Sequence, residues 1–248
     1  MPINRIKSGI EGLDDLIQGG FPEGSSVLVT GSPGTGKTIF GLQFLVAGAE
    51  NNEPGIYLTF EESEKKVRDQ GEQFGWDLQK LENEGKLVVN SVSDGDIGEI
   101  FKNLSDEAKR INAKRLIIDS LSTLLESARR YTSKLQKEVY DLGKEKYGVR
   151  LPEPTEKVTR EDIFYIIREI NKLGLTSILT SEAPKESNYL SRDTISEFVC
   201  DGVIILRLKT GGREGIERFL SIEKMRTTSQ DGQIHHFEIE KGKGITIK

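Results

Sequence analysis

Gly31-Ser32-Pro33-Gly34-Thr35-Gly36-Lys37-Thr38 fits the pattern G-x-x-x-x-G-K-[ST] at every fixed position. The pattern describes a loop that cradles phosphate. Gly34 and Gly36 carry no Cβ, so the chain can turn sharply there and aim successive backbone N–H groups at phosphate oxygens. Pro33 has no N–H, which leaves the amides of Gly34 to Thr38 as donors, reinforced by the positive end of a helix expected to begin near Lys37. Lys37 would bring a mobile charge to the β- and γ-phosphates, and the Thr38 hydroxyl is placed to ligate Mg²⁺ on the same oxygens. Gly31, Ser32 and Thr35 complete the loop. A glycine-rich turn can match such a pattern by chance, so the flanks decide. Ser26 to Thr30 is a β-branched apolar run of strand length, and Ile39 to Glu50 carries Phe40, Phe44 and Ala47 at helical spacing. Strand, loop, helix is the order a phosphate loop requires.

Outward from this unit the rhythm repeats. Gly55 to Phe60 reads as a second strand, Ser63 to Phe74 as a helix with Ser63 at its N-cap, Leu87 to Ser91 as a third strand, and Ile97 to Ile111 as an amphipathic helix. Arg115-Leu116-Ile117-Ile118-Asp119 is a fourth strand, apolar up to its terminal Asp, as befits a parallel strand covered on both faces. Residues 126–161 break the rhythm with mixed charge, a helical stripe of Tyr131, Leu135, Val139 and Leu142, and a Pro-containing loop, and read as an insertion. Helix and strand return at Asp162 to Leu173, Thr176 to Ser181 and Gly202 to Leu208. The last strands, Phe219 to Met225, His236 to Ile239 and Ile245 to Ile247, are separated by Gly/Asp turns and predict an antiparallel edge. The expectation is one α/β domain over 1–248, a mostly parallel sheet flanked by helices.

Composition sets bounds on function. A chain of 248 residues can bury a large core without disulfide or structural metal. Charged residues make up 30% with both signs mixed, and the net charge of −5 argues against a surface that binds nucleic acid by bulk electrostatics. The single Cys200 lies in an apolar run and is expected buried and inert. No apolar run approaches the roughly 20 residues needed to span a bilayer, and no signal-peptide pattern opens the chain, so a cytoplasmic protein is expected.

Three groups of residues beyond the loop can carry chemistry. Asp119, at the carboxyl end of its strand, stands where an open parallel sheet meets its ligand and could hold Mg²⁺ through water; Asp119 or Ser120 could instead merely cap the next helix. Glu61 and Glu62 end the neighbouring strand, where one of them could orient or deprotonate an attacking water, or both could complement the helix starting at Ser63. Lys224 and Arg226 share one face if their run is a strand, which suits either a phosphate clamp or a solvated face. His235 and His236 diverge and read as structural.

With these pieces placed, the chain resembles the RecA-like P-loop ATPases and, within them, the single-domain KaiC-like proteins of the KaiC/RadA branch. The resemblance rests on Ser8-Gly9-Ile10-Glu11-Gly12-Leu13-Asp14, the phosphate loop, Tyr57 to Ser63, Ile117 to Ser120, and Phe198 to Val203 continuing to Lys224-Met225-Arg226. It implies a Mg²⁺-dependent ATPase with ATP and Mg²⁺ as cofactors, Glu61 and Glu62 as a catalytic pair, and Lys224 and Arg226 as cations delivered to the γ-phosphate of an adjacent subunit. A hexameric ring follows from that delivery. Glu197 and Phe198 occupy the places of the hydroxyl pair that some KaiC domains phosphorylate on themselves, so no autokinase activity is expected. The insertion could pack on its own domain or face an unknown protein partner. Two alternatives remain at this level: a slow or non-hydrolysing ATP-sensing module, and a RadA-like single-stranded-DNA-binding paralogue using Lys185 and Arg192, which the net charge does not favour.

Overall fold

The computed structural model describes residues 3–92, 97–126, 160–183, 189–210 and 215–248. In chain order the strands are β1 (Arg5–Ile6), β2 (Phe21–Pro22), β3 (Ser26–Gly31), β4 (Gly55–Thr59), β5 (Leu87–Ser91), β6 (Arg115–Asp119), β7 (Thr176–Glu182), β8 (Gly202–Thr210), β9 (Ile216–Met225), β10 (Ile234–Glu240) and β11 (Gly244–Ile247). The helices are α1 (Leu13–Leu16), α2 (Lys37–Glu50), α3 (Glu64–Glu72), α4 (Leu78–Asn83), α5 (Ile97–Arg110), α6 (Arg160–Lys172) and α7 (Ser196–Val199). Residues 121–126 are also helical.

Nine strands form one sheet in the order β11-β10-β9-β8-β3-β7-β6-β4-β5. The six from β5 to β8 are parallel, and β9 to β11 return antiparallel as the edge the turns predict. Alternation along the strands splits the core in two. Val27, Val29, Tyr57, Ile117 and Ile178 face α2 with Phe40 and Phe44, while Leu28, Ile56, Leu116, Ile118 and Leu179 face α5 and α6. Every residue of β3, β4 and β6 is buried, which is why these runs read as continuously apolar.

The N- and C-terminal segments are tied to α2 through one buried amide. Gln43 Nε2 donates to Gly9 O at 2.9 Å and to Ile245 O at 3.2 Å, and its Oε1 accepts from Ile245 N at 2.7 Å. One residue further along α2, Arg115 is fully buried, stands 4.4 Å over the Phe44 ring and pairs with Glu53.

The structure departs locally from the sequence reading. Ser63 occupies the N-cap of α3 without a side-chain cap hydrogen bond. The short α4 was not predicted; its N-cap is Asp77, whose Oδ1 accepts from Lys80 N at 2.8 Å. The stripe Tyr131, Leu135, Val139 and Leu142, and nearly all of the expected insertion, lie outside the described residues.

Candidate active site

At the carboxyl end of β3 the chain turns through the phosphate loop into α2. Gly34 and Gly36 have φ of 82° and 102°, in the left-handed region that favours glycine, and a Cβ on Gly31 would stand 2.5 Å from Leu206 O. Thr35 is buried, its hydroxyl on Ser32 O at 2.8 Å, and its amide turns to the same carbonyl at 3.4 Å. Among the described residues the amides of Gly34, Gly36, Lys37 and Thr38 donate to no protein group, whereas that of Thr35 does. Lys37 Nζ folds back on Gly31 O at 2.8 Å and Ser32 O at 3.3 Å. Burial lowers the Lys37 pKa, opposed by the nearby carboxylates of Asp119, Glu182 and Glu61.

Asp119 ends β6 beside this loop and accepts hydrogen bonds on both carboxylate oxygens. Thr38 donates to Oδ2 at 3.0 Å, Tyr57 also donates to Oδ2, and Thr180 donates to Oδ1 at 2.5 Å. Burial first, and then Asp119, push the Tyr57 phenol well above its usual pKa, so it stays a donor. A hydroxyl and a carboxylate 3.0 Å apart beside a phosphate loop form an all-oxygen set that fits Mg²⁺. Asp119 does not cap a helix, since no backbone amide among the described residues donates to its carboxylate; Ser120 does, its Oγ accepting from Thr123 N at 3.2 Å at the start of the helix at 121–126.

The two glutamates part company. Glu61 lines the cavity, with Oε1 accepting from Ser120 Oγ at 2.5 Å and Thr123 Oγ1 at 2.7 Å. Glu62 is not in the lining; its Oε2 accepts from Gln70 Nε2 at 2.6 Å. The cavity is about 560 Å³, and besides these groups its wall includes Ile39, Gln73, Phe74, Ile239, Glu182 and Arg218. Phe74 is itself stacked on Trp76 at 5.0 Å.

Lys224 and Arg226 lie away from this chain's own loop. Lys224 pairs with Val203, three residues before the rung where Leu206 meets Gly31, and Arg226 lies beyond the end of β9. Three residues of strand put Lys224 roughly 10 Å back from the loop end of the sheet. Lys224 Nζ donates to Glu197 O at 2.9 Å and Phe198 O at 3.2 Å; Arg226 pairs with Asp201 at 2.9 Å. Burial and then Arg226 lower the Lys224 pKa. Neither cation lines the cavity.

The remaining expectations resolve unevenly. Arg192 is held by Glu126 at 2.8 Å and Glu182 at 3.3 Å, and Lys185 lies outside the described residues. His235 has an acidic neighbour the sequence reading missed, Asp231 at 2.7 Å, and among the described residues no group of three or more His, Cys, Asp or Glu could hold a metal. Cys200 is fully buried, and burial pushes its thiol up to about 12. No helix among the described residues is long and apolar enough to cross a membrane. Tyr57, Thr180, Thr123 and Arg218 have no site role in the sequence reading, because their roles depend on which elements lie side by side.

A family model described as the KaiC ATPase matches residues 6–149 and 148–248. The circadian clock oscillator protein KaiC of Prochlorococcus marinus is 35% identical over 260 residues, covering 100% of this chain and 46% of its own length. The Synechococcus elongatus protein of the same name is 33% identical, covering 92% and 41%. The chain thus spans less than half the length of these relatives. The crystal structure of a KaiC-like protein from the hyperthermophilic archaeon Pyrococcus horikoshii aligns over 100% of both chains with a TM-score of 0.80 and 38% identity.

Proposed function

The chain belongs to the KaiC ATPase family, with a RecA-like P-loop fold, and from that premise we propose that it binds and hydrolyses ATP with Mg²⁺ as a homo-oligomeric ring, the span 1–248 acting as one ATPase unit. The observation that carries this reading is the convergence of Lys37, the Thr38–Asp119 pair and Glu61 on one cavity.

In this account the free amides of Gly34, Gly36, Lys37 and Thr38 bind the phosphates, and Lys37 exchanges its two carbonyl partners for phosphate oxygens. Thr38 and Asp119 would hold Mg²⁺, which when bound neutralises charge on the β- and γ-oxygens. Tyr57 and Thr180 keep the Asp119 carboxylate oriented. Glu61 faces the water that attacks the γ-phosphate and takes up its proton through Oε2, while Ser120 and Thr123 fix Oε1. Glu62 supports from outside by anchoring Gln70. Phe74, Ile39 and Ile239 offer an apolar slot for the base.

Lys224 and Arg226 act in trans in this reading. Their place away from the loop end of the sheet is unsuited to their own nucleotide and suited to a neighbour's in a head-to-tail ring. The insertion at 126–161 would be an addition to the common unit, packed on it or facing a protein partner.

Phosphate release measured with and without Mg²⁺, on wild type and Lys37→Ala, tests the proposal. Mg²⁺-dependent release abolished in Lys37→Ala supports it, and release that survives this substitution sinks it. A second reading, slow turnover in an ATP-sensing module, is favoured by the commitment of Glu61 Oε1 to two hydroxyls. Bound ATP that persists for hours while no phosphate appears would select it. The single-stranded-DNA reading loses support from Arg192, which two carboxylates already engage.

A further inference from the structure

Thr227 follows the cation pair and holds a backbone conformation that its side chain resists. Its φ is 58°, in the left-handed region, where a β-branched residue is an outlier. Such a turn persists only where its surroundings hold it. Two hydroxyls of the turn bond back to one carbonyl: Thr227 Oγ1 donates to Arg226 O at 2.6 Å and Thr228 Oγ1 to the same oxygen at 3.3 Å. Arg226 lies beyond the end of β9, and the main sheet holds its amide, which donates to Asp201 O at 2.9 Å. Its carbonyl is held by the turn.

The rest of the hold comes from the other end of the chain. Arg5, in β1, donates from Nη1 to Thr228 Oγ1 at 3.1 Å and from Nη2 to Thr227 O at 3.2 Å. Gln18, also left-handed at φ 56°, takes up the next amide: its Oε1 accepts from Ser229 N at 3.2 Å and from Arg5 Nη2 at 3.2 Å. On its own side Arg5 is anchored by Ile17 O at 3.0 Å and Gly20 O at 2.9 Å, and β1 is fixed on β2 with Arg5 opposite Pro22. A planar guanidinium suits such a bridge, because fixing one edge of the fork fixes the other.

We propose that Arg5 is a positioning residue for the cation pair: it locks the Thr227 turn, and through it the backbone from which Arg226 reaches a neighbour's nucleotide. The proposal rests on the trans-acting reading of Lys224 and Arg226, and it gives Arg5 no contact with nucleotide. A subunit without Arg5 keeps its phosphate loop and its base and presents Arg226 in a spread of directions. The defect then falls on the neighbour's turnover and spares the subunit's own site.

Phosphate release from Arg5→Ala tests this, with calorimetric ATP affinity, circular-dichroism melting and light scattering as checks on the nucleotide site, the fold and assembly. The expected result is a kcat about tenfold below wild type, with ATP affinity within about twofold and assembly unchanged. Mixing assigns the defect to one side of the interface. In equal mixture with Glu61→Gln, which keeps its cations and lacks the base, Arg5→Ala should reach about a quarter of wild-type release; mixed with Arg226→Ala it should stay at the average of the two parents. Thr227→Gly, which adopts the turn without strain, should restore part of the lost rate in the Arg5→Ala background, a rescue that a folding defect alone would not show. Wild-type turnover in Arg5→Ala, or in Gln18→Ala should Arg5→Ala melt below the assay temperature, overturns the proposal. So does a failure of Arg5→Ala to gain from Glu61→Gln in mixtures that co-assemble. Arg226→Ala inactive beside a fully active Arg5→Ala leaves the trans-acting reading standing and Arg5 idle, whereas unchanged turnover in Arg226→Ala defeats both.

Discussion

Three hydroxyls from three different elements share the Asp119 carboxylate. Tyr57→Phe removes one of them without changing shape. The Mg²⁺ concentration for half-maximal nucleotide binding should rise on the order of tenfold, read by fluorescence of a labelled nucleotide, with Mg²⁺-free binding unaltered. The glutamates should separate as their positions do: Glu61→Gln should bind ATP and lose at least about 100-fold in phosphate release, and Glu62→Gln should lose far less. Equal losses would mean that the cavity lining misidentifies the base. Cys200 gives a pH prediction whose sign is fixed. The unfolded thiol ionises near 9 and the native one near 12, so above pH 9 the unfolded state binds fewer protons and stability falls as pH rises toward 12. The slope is at most about 1.4 kcal/mol per pH unit, and urea unfolding at pH 8 and pH 10 against Cys200→Ala isolates it. Lys37, Thr38 and Asp119 were legible in the sequence because a local pattern or a strand end marks each. Tyr57 and Thr180 were not, since each acts across a strand pairing that no local pattern encodes.

Elements were legible where burial is continuous or a turn residue punctuates. β3, β4 and β6 announce themselves as apolar runs, and the antiparallel edge follows from turns such as Asp231-Gly232. The two-residue β1 and β2 and the six-residue α4 fell below what periodicity can resolve. α2 does more than launch the phosphate loop, because Gln43 holds Gly9 and β11 through one amide. Gln43→Ala leaves the Ile245 amide and two carbonyls without partners in a buried setting. It should cost about 2–4 kcal/mol, measured as a fall in unfolding free energy in urea. A loss under about 0.5 kcal/mol would show that the terminal strand docks by apolar packing alone.

For the molecule as a whole, the arrangement of charge defines the functional claim. Lys37 and Arg218 sit at the loop end of the sheet, whereas Lys224 and Arg226 gather beside α7, bound to backbone carbonyls and to Asp201. One subunit thus presents a nucleotide site at one place and a cation pair at another, which is the disposition a head-to-tail ring can use. Sequence alone supplied the pair through family resemblance; its separation from the loop became visible once β9 was placed antiparallel to β8. The direct test is complementation. Glu61→Gln keeps its cations and lacks the base, and Arg226→Ala keeps the base and lacks the cation. Mixed in equal amounts with ATP and Mg²⁺, two inactive variants should regain about a quarter of wild-type phosphate release, the share of interfaces that join an intact base to an intact cation. A mixture that co-assembles by light scattering and stays as inactive as its parents would contradict the trans-acting account.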